Sequence, residues 1–495
     1  MSKIKIGWCE KSLVPIGRKV NLAGQFYERI TDTVESDISA TALAIECGGD
    51  AVVFCSCDLG GVGEKLVRSV RARLADTDVP LDKIIINAIH SHTAPAFSAS
   101  SDLFGGVSTA LLNRLMPDAK YESLVKYEGE DLIKGDEATE FLSSRIAEAI
   151  RGAWDSRAEG MYATGFGRAA VGMCRRVCYD DGTAKMWGDT FEANFTELEG
   201  GNDSGIELLF TYDTDKRLTG VIANVACPAQ VLEHRSFISS DYFGKVKEEL
   251  RKRYGDDIYL LGLVSPAGDQ CPRDMIRWVE PETPINDPNI IRNDSPVRDA
   301  DPSMFDLSGC IRIGRRIAAE IVWELEDMSE FISSTELVHR VERVDLPLRR
   351  ATPSEYESAM AAIKEFRDSI GDGTINFKDS ARMHVHAGTL SRYEIQKSRE
   401  CVTVEMHFMR LGNLAFATNP FELFLDYGNR IRAKSPARQT FLIQLAAGSY
   451  GYLPTEKAEK NGHYSAYISS GVTGHDGGDM IVRKTLSEFS NLWNK

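Results

Sequence analysis

The sequence predicts an α/β fold: a largely buried mixed or parallel sheet, flanking helices, long loops at the carboxyl ends of the strands, and a smaller inserted lobe. Two observations support this fold class. Short runs of β-branched apolar residues recur along the chain, and amphipathic helix-like segments separate them. Strands that are apolar throughout are typical of a sheet covered on both faces.

The elements alternate along the chain. The predicted strands are apolar runs that end in small or polar residues, and they cover 51–59, 83–90, 219–226, 258–264, 413–419 and 440–446. The predicted helices repeat their apolar residues with a helical period, and they cover 63–76, 137–155, 241–255, 308–327 and 354–370. A chain of 495 residues exceeds the usual limit of one simple core, so one elaborated domain and two lobes are both allowed.

Two stretches interrupt this alternation. Residues 265–310 are rich in Pro, Asp and Asn, which predicts a long ordered loop over one end of the sheet, and such loops are usually functional. Residues 329–400 predict a secondary lobe or insertion. No Pro/Ser-rich linker divides the chain, so we expect residues 1–495 to form a single domain that carries this insertion.

Charge and termini exclude several classes of partner. The chain has 58 basic and 73 acidic residues, and a net charge of −15 repels nucleic acid. The N-terminus lacks the apolar stretch of a signal peptide, and no run approaches the roughly 18 apolar residues of a membrane span. Ten cysteines, several in apolar runs, fit a reducing cytoplasm better than a disulfide scaffold. We expect a cytoplasmic protein with a small-molecule substrate, and a homo-oligomer is allowed.

The most specific local motif is His90-Ser91-His92, which follows an apolar strand in NAIHSHTAPAF (87–97). Alternate residues of a strand share a face, so both imidazoles can point into one site. Neutral imidazole suits zinc, and a strand end can orient two such ligands. The alternative is a hydrogen-bonded structural pair.

Other polar segments also follow predicted strands. In open α/β sheets, ligands bind outside the carboxyl ends of the strands. We therefore expect one crevice to gather the His-x-His motif and four further segments: CPAQ (227–230), SPAGDQCPRD (265–274), NPFELF (419–424) and GSYGYLPTE (448–456).

Together these segments resemble the neutral/alkaline non-lysosomal ceramidases. NAIHSHTAPAF resembles the HTHSGP zinc-binding signature, and AGDQCPRD resembles the GDxSPN segment of that family. NPFELF resembles the GEFT-type glutamate segment, and GYLPTE resembles the tyrosine-bearing YxTT segment. The order and approximate spacing agree from about residue 1 to residue 490. The resemblance implies a single catalytic domain that binds one Zn²⁺ ion and hydrolyses an amide or related acyl bond.

The resemblance also implies roles for individual residues. His90 matches the first zinc ligand, and His92 matches the neighbouring histidine that faces the substrate. Glu422 and Tyr452 match the ligand glutamate and tyrosine. The structural alternatives are a helix cap for Glu422 and an ordinary half-buried aromatic for Tyr452.

The chain departs from the family pattern at two cysteines. Cys227 stands where the family has its second ligand histidine. A thiolate is a softer but legitimate zinc ligand, and the alternatives are an inert buried cysteine or His234 as the relocated imidazole. Cys271 stands at the serine of GDxSPN, where it either forms an acyl-cysteine with His92 as base or lines the pocket. Asp269 is predicted to orient its loop or an imidazole, or to cap a turn.

Two adjacent arginines complete the predicted site. Arg175 or Arg176 is predicted to clamp a substrate group, and the alternative is a salt-bridged hairpin. The expected function is zinc-dependent hydrolysis of an amide or related acyl bond, by an amidase-like enzyme that acts on a small polar metabolite or a sugar derivative. Two other functions stay open: a metal-assisted lyase or glycoside-cleaving enzyme, and a catalytically silent metal-binding protein.

Overall fold

The computed structural model describes residues 1–25, 27–97, 106–121, 127–277, 306–370 and 373–494. Most of the predicted loop 265–310 lies outside these ranges. In the described part of the chain, no helix combines the length and apolar character needed to cross a bilayer. All ten cysteines are free thiols.

The helices, in chain order, are α1 Glu64–Arg73, α2 Gly106–Leu115, α3 Gly135–Asp155, α4 Asp241–Tyr254, α5 Asp306–Asp327, α6 Pro353–Ile370, α7 Phe377–Ile395, α8 Leu425–Lys434, α9 Glu456–Asn461 and α10 His475–Trp493. A single 3-10 turn covers Leu81–Lys83 within the described residues.

The strands, in chain order, are β1 Ser2–Ser12, β2 Val20–Asn21, β3 Ile30–Thr31, β4 Ser39–Cys47, β5 Asp50–Cys57, β6 Ile84–Ala88, β7 Lys120–Tyr121, β8 Ala158–Arg168, β9 Met173–Cys174, β10 Arg176–Tyr179, β11 Ala184–Met186, β12 Phe195–Leu198, β13 Gly205–Asp213, β14 Leu218–Val225, β15 Tyr259–Val264, β16 Gln270–Cys271, β17 Ser334–Thr335, β18 Leu337–Pro347, β19 Thr374–Ile375, β20 Cys401–Leu411, β21 Leu414–Thr418, β22 Glu422–Leu423, β23 Gln439–Ile443 and β24 Tyr452–Leu453.

The larger sheet has the strand order β15-β14-β13-β8-β1-β4-β5-β6, and β17 pairs with β1 at its side. Most neighbours are antiparallel, whereas β14–β15 and β5–β6 are parallel. A second sheet has the order β18-β20-β21-β23, with β21 and β23 parallel. The predicted mixed sheet with flanking helices is therefore confirmed.

The two sheets pack face to face. Their shared core includes Leu43 and Phe54 from the larger sheet and Met409, Phe416 and Phe441 from the smaller one. Phe416 and Phe441 stack with ring centroids 4.5 Å apart. Helices α1 and α3 cover one half of the larger sheet, α4 and α5 cover the other half, and α8 and α10 cover the smaller sheet. Burial on both faces explains why these strands are apolar throughout.

All the predicted strands and helices are confirmed, with ends shifted by no more than a few residues. The sequence analysis missed the antiparallel strands β1, β4, β8, β13, β18 and β20. Within 329–400, strand β18 pairs with β20 of the second sheet, and α6 and α7 pack with α2 around a small separate core. The division into a main domain and an inserted lobe stays a prediction.

Candidate functional site

Loops that follow five strands meet at one end of the two sheets. Backbone pairing brings them together: β22 pairs with β24 in parallel, which places Glu422 directly beside Tyr452. Gly268 N donates to Leu423 O over 2.9 Å. A Cβ at Gly268 would lie 2.2 Å from Glu422 O, so this close approach requires glycine. The predicted crevice at the strand ends thus contains Glu422 and Tyr452 with the loop after β15.

The two histidines of the His-x-His motif lie just past the end of β6. His90 has a φ of 67°, so a turn brings the two rings together, and the predicted strand alternation is wrong here. His90 Nδ1 lies 2.6 Å from Gly60 O. A carbonyl oxygen only accepts hydrogen bonds, so Nδ1 carries a proton, and in its neutral form His90 presents the lone pair of Nε2 to the crevice. Burial opposes the charged form, but Glu422 raises the pKa of His90 above its ordinary value.

A largely buried glutamate, Glu233, lies beside His92, and no sequence motif indicated it. His92 Nδ1 lies 3.0 Å from Glu233 Oε2 without the angle of a hydrogen bond, and this nearby carboxylate favours a proton on Nδ1. Arg29 donates to the carbonyl oxygens of His92 and Glu233, both over 2.6 Å. Burial lowers the pKa of His92, while Glu233 acts in the opposite direction. Neutral His92 therefore also presents the lone pair of its Nε2 to the crevice.

Three electron-rich atoms face one another in this crevice. His90 Nε2 lies 3.2 Å from His92 Nε2 and 3.4 Å from Glu422 Oε2. Two ligands of a tetrahedral zinc ion, each at about 2.0–2.1 Å from it, lie about 3.3 Å from each other. Neutral imidazoles here place lone pair against lone pair, so the arrangement needs an added proton or a metal ion. The donor atoms therefore fit a bound cation.

His90, His92 and Glu422 do not form a complete metal site built from His, Cys, Asp and Glu side chains. Among the described residues, no group of three or more His, Cys, Asp and Glu side chains is placed to hold an ion. The Tyr452 hydroxyl, which hydrogen-bonds Glu422, lies beside these atoms as a further candidate donor. Burial, reinforced by Glu422, raises the pKa of Tyr452 well above its ordinary value. A bound cation acts in the opposite direction and favours the phenolate.

Glu422 does not cap the helix that follows it. Helix α8 begins at Leu425, and no side chain caps it from Phe424. Leu425 N instead donates to Asp269 Oδ1 over 2.9 Å. Burial opposes ionisation of Glu422, but His90 and Arg175 hold its pKa below the ordinary value. The capping alternative is wrong for Glu422, because Asp269 is the carboxylate that binds the start of the helix.

The two candidates for a fourth ligand lie after β14. Cys227 is fully buried, and its sulfur lies 3.6 Å from each of the carbonyl oxygens of Val171 and Pro228. Burial raises the pKa of this thiol well above its ordinary value. Burial also lowers the pKa of His234 to about 4, although Asp306 opposes this shift. In this arrangement Cys227 is a neutral thiol that donates to backbone oxygen.

Cys271 and Asp269 both lie in the loop after β15. The Cys271 thiol donates to Arg273 O over 3.2 Å, and burial raises its pKa to about 12 against the effects of Arg175 and Arg273. Burial raises the pKa of Asp269 to about 6. The carbonyl oxygen of Asp269 also accepts a hydrogen bond from Arg175 N over 3.0 Å. The Asp269 carboxylate thus binds the start of α8, and its predicted role in orienting the site stays a prediction.

Arg175 and Arg176 have different environments. Arg175 Nη2 donates to Gly268 O over 2.9 Å and to Tyr452 Oη over 3.3 Å, so Arg175 borders the crevice. Arg176 forms a two-pronged ion pair with Glu199 and also donates to Ser465 Oγ and to backbone oxygens of the 458–464 segment. All its donor nitrogens are used. The substrate-binding role predicted for Arg176 is therefore not retained.

A tyrosine that the sequence analysis missed also borders the crevice. The Tyr464 ring meets that of Tyr452 edge to face, with centroids 5.5 Å apart. The only available signal was its place in the segment after Tyr452, because Tyr464 lies in no recognisable motif.

Comparison with known proteins gives structural matches only. No protein-family profile matches the chain, and no curated protein matches its sequence. Neutral ceramidase from Pseudomonas aeruginosa is similar in structure, with a TM-score of 0.68 and 16% identity over 99% of this chain and 75% of that chain. A ceramidase complexed with C2 has a TM-score of 0.68 and 14% identity, with the same coverage. At this identity the likeness establishes the fold, so the chain has the neutral-ceramidase fold.

Proposed function

We propose, from the premise of this shared fold, that the chain is a metal-dependent hydrolase that cleaves an amide or related acyl bond of a small polar substrate. The observation that carries the proposal is the convergence of His90 Nε2, His92 Nε2 and Glu422 Oε2, separated by 3.2 and 3.4 Å. When both histidines are neutral, these are acceptor atoms without a donor between them. Such a cluster at the strand ends of a neutral-ceramidase fold is suited to a catalytic cation.

His90, Glu422 and Tyr452 would hold one zinc ion. Cys227 is proposed as the fourth ligand, with His234 as its alternative. Zinc, when bound, polarises a carbonyl group and lowers the pKa of a water molecule. Neutral imidazole, carboxylate and phenolate are all compatible with that ion.

His92 would move the proton of the reaction. Because Glu233 faces Nδ1, the lone pair of Nε2 is the basic atom that His92 presents to the crevice. In hydrolysis, the water oxygen bonds to the acyl carbon and the carbon–nitrogen bond breaks. The proton that the water loses passes through His92 Nε2 to the leaving nitrogen. Arg175, which hydrogen-bonds Tyr452, would donate to an oxygen of the substrate.

Cys271 would border the substrate, and we do not assign it a covalent step. Its thiol donates to Arg273 O, and burial raises its pKa to about 12. A thiolate nucleophile needs a lowered pKa. These features favour the pocket-lining alternative over an acyl-cysteine.

The proposal is tested by metal analysis together with product analysis. Protein purified without chelators should hold about one equivalent of zinc per chain. A panel of small amides, esters and sugar derivatives in oxygen-18 water should give products that carry solvent oxygen. An unsaturated product without oxygen-18 would identify a lyase instead. Stoichiometric metal without turnover of any panel compound would identify a catalytically silent metal-binding protein. Hydrolysis of amides by metal-free protein would refute the proposed metal dependence. Cytoplasmic localisation stays a prediction.

A further inference from the structure

Tyr464 lies on a turn, residues 462–465, whose backbone is strained. His463 has a φ of 71° and Ser465 has a φ of 69°, so two non-glycine residues adopt the left-handed region on either side of Tyr464. Residues with a Cβ adopt this region at a cost in free energy, and they keep it only where surrounding contacts hold them there. The turn therefore depends on the groups that bind its backbone.

Arg176 binds most of this turn. Its Nη1 donates to Tyr464 O over 2.8 Å and to Ser465 Oγ over 3.2 Å. Its Nη2 donates to Gly462 O over 2.7 Å. One guanidinium thus contacts three of the four residues of the turn. A rigid, planar set of donors can hold several oxygens at once, whereas the ammonium group of a lysine cannot.

Glu199 keeps the Arg176 guanidinium in place. Arg176 is fully buried, and Glu199 accepts from its Nε and its Nη2, so the buried charge is paired. Glu199 Oε1 also accepts from Asn461 Nδ2 over 3.0 Å, which ties the ion pair to the end of α9. His463 Nδ1 accepts from Met186 N over 3.0 Å and attaches the turn to β11. The strained conformation is therefore held from two sides.

The turn directs the Tyr464 side chain at the proposed metal site. The rings of Tyr464 and Tyr452 meet edge to face, and their hydroxyl groups are hydrogen-bonded. The Tyr452 hydroxyl is also hydrogen-bonded to Glu422. A carboxylate only accepts hydrogen bonds, so Tyr452 donates to Glu422 and accepts from Tyr464.

The pairing of β22 with β24 does not by itself fix the position of this phenol oxygen. It places the backbone of Tyr452 beside that of Glu422, but two side-chain torsions of Tyr452 still decide where its hydroxyl lies. Arg175 Nη2 donates to the oxygen over 3.3 Å, and Tyr464 supplies a second donor. Hydrogen bonds from outside the ligand set orient a metal ligand and raise the affinity of the site.

We propose that the Arg176–Glu199 ion pair is a positioning element of the proposed metal site. It holds the turn in its left-handed conformation, so that the Tyr464 hydroxyl donates to Tyr452 and keeps that oxygen in place for the ion. Arg176 thus acts on the site through Tyr464. The inference rests on the proposed function, because it takes Tyr452 as a zinc ligand.

The test measures zinc affinity, which requires no substrate. Competition with a chromophoric chelator gives the Kd of the ion for each variant. Tyr464→Phe keeps the ring and removes the donor, and it should weaken zinc binding by about 10- to 100-fold, the range for loss of a hydrogen-bond partner of a ligand. The matched control is Tyr467→Phe in the same segment, whose ring lies 5.9 Å from that of His463. It should leave Kd unchanged.

Two further variants test the ion pair. Arg176→Lys keeps the charge but loses the planar set of donors, and it should weaken zinc binding by about tenfold. Ser465→Ala removes one acceptor of Arg176 and leaves the ion pair intact, so it should weaken binding by a smaller factor. It also serves as the test if Arg176→Lys does not fold. Neither change should weaken binding further in the Tyr464→Phe background, because both act through that hydroxyl.

Three outcomes would overturn the inference alone. Unchanged Kd in Tyr464→Phe would show that the hydroxyl does not position the ligand. Unchanged Kd in Arg176→Lys, or in Ser465→Ala where the former does not fold, would show that the ion pair only stabilises the fold, and urea unfolding would measure that contribution. Losses of affinity that multiply in the Arg176→Lys, Tyr464→Phe double variant would show that Arg176 does not act through Tyr464.

The same measurement separates the inference from the proposed function. Wild-type protein that binds zinc, with the expected losses in Tyr464→Phe and Arg176→Lys, but hydrolyses no amide would support the positioning role and refute the hydrolase. Wild-type protein that hydrolyses amides with zinc bound, and keeps the same Kd in both variants, would refute the positioning role alone. Wild-type protein that binds no zinc would overturn both.

Discussion

The described residues include two histidine pairs, one largely buried and one fully buried, and they differ in how their protons are placed. His90 and His92 meet through Nε2 and Nε2 at 3.2 Å, in the crevice at the strand ends. His339 and His407 meet through Nε2 and Nδ1 at 2.9 Å, on β18 and β20 of the second sheet. Each pair has a glutamate beside it, and each needs one proton more than two neutral imidazoles supply.

The second pair is closed by hydrogen bonds. His339 Nδ1 lies 3.0 Å from Ala51 O, so it donates there and its Nε2 accepts from His407 Nδ1. His407 Nε2 then lies 3.1 Å from Glu405 Oε1, and Arg71 binds the same carboxylate over 2.6 and 2.9 Å. Both contacts of His407 are satisfied when both of its ring nitrogens are protonated, which Glu405 favours although burial lowers the pKa of His407. This pair joins β5, α1 and the second sheet, and it is a structural element.

The first pair is open in comparison. His90 Nδ1 and His92 Nδ1 are held by Gly60 O and Glu233, which leaves both Nε2 atoms directed at the same space with Glu422. His90 Nε2 faces both His92 Nε2 and Glu422, so one added proton there can be donated to only one of these acceptors, whereas a metal ion can bind all three atoms. The placement of protons in a histidine pair therefore distinguishes a candidate ligand-binding site from a structural one.

The largest loss of turnover is expected when one donor of the open pair is removed. His90→Ala and Glu422→Gln should each lower turnover about 1,000-fold or more, because loss of one donor removes the ion that polarises the substrate. Zinc per chain, measured by elemental analysis, should fall in parallel. The free energy of unfolding of the metal-free protein should change little. Unchanged metal in both variants would refute the site, and His386→Ala on α7 provides the control.

The next largest effect is expected at His92 and distinguishes the roles of the two histidines of the open pair. His92→Ala should lower turnover by about 100- to 10,000-fold, the range of a lost acid–base group, and should retain zinc. Kinetics and elemental analysis on the same preparation would measure both quantities. Loss of zinc equal to that of His90→Ala would show that His92 is a ligand and that the division of roles is wrong.

A smaller effect, on stability instead of activity, is expected at the closed pair. Glu405→Gln should lower the free energy of unfolding by about 3 kcal/mol, because Arg71 and His407 lose their carboxylate. Urea unfolding at pH 7 would measure it. The control is Glu342→Gln on the same sheet, where Glu342 is half exposed and lies 3.7 Å from Lys484. That control should change stability by no more than about 0.5 kcal/mol.

The pH dependence of Glu405→Gln gives a further check. Burial opposes ionisation of Glu405, but His407 and Arg71 hold its pKa well below the ordinary value. A carboxylate with a depressed pKa stabilises the folded state above its unfolded pKa of about 4.3, and this contribution is lost as the pH falls below that value. The difference between wild type and variant should therefore shrink below pH about 4. A difference that is constant from pH 7 to pH 3 would refute the charge role.

The smallest effect concerns Cys227. With cobalt in place of zinc, a thiolate at Cys227 should give an intense sulfur-to-metal band in the near ultraviolet, and Cys227→Ser should abolish it. Stability should change by about 1 kcal/mol or less, because the serine hydroxyl can donate to the same carbonyl oxygens. Cys271→Ser should keep the band. Absence of a band, with metal lost in His234→Ala, would identify His234 as the ligand.

The open pair was predictable and the closed pair was not. His90 and His92 are two residues apart after an apolar strand, so a local motif indicates them. His339 and His407 are separated by 68 residues and meet only through the register of β18 with β20. The antiparallel strands were missed for a related reason, since exposed polar positions in strands such as β8 and β18 interrupt the apolar runs on which strand prediction relied.

The sequence by itself determined the alternation of apolar strands with amphipathic helices and the order of the polar segments at strand ends. Both are local patterns, because a periodicity or a strand end is encoded within a few neighbouring residues. Only the tertiary structure decided that Glu422 lies beside Tyr452, that Glu233 lies beside His92, and that Arg175 faces the crevice while Arg176 pairs with Glu199. These contacts depend on ladder register and on burial of charge. Both arise when distant segments pack together and must satisfy one another's hydrogen bonds.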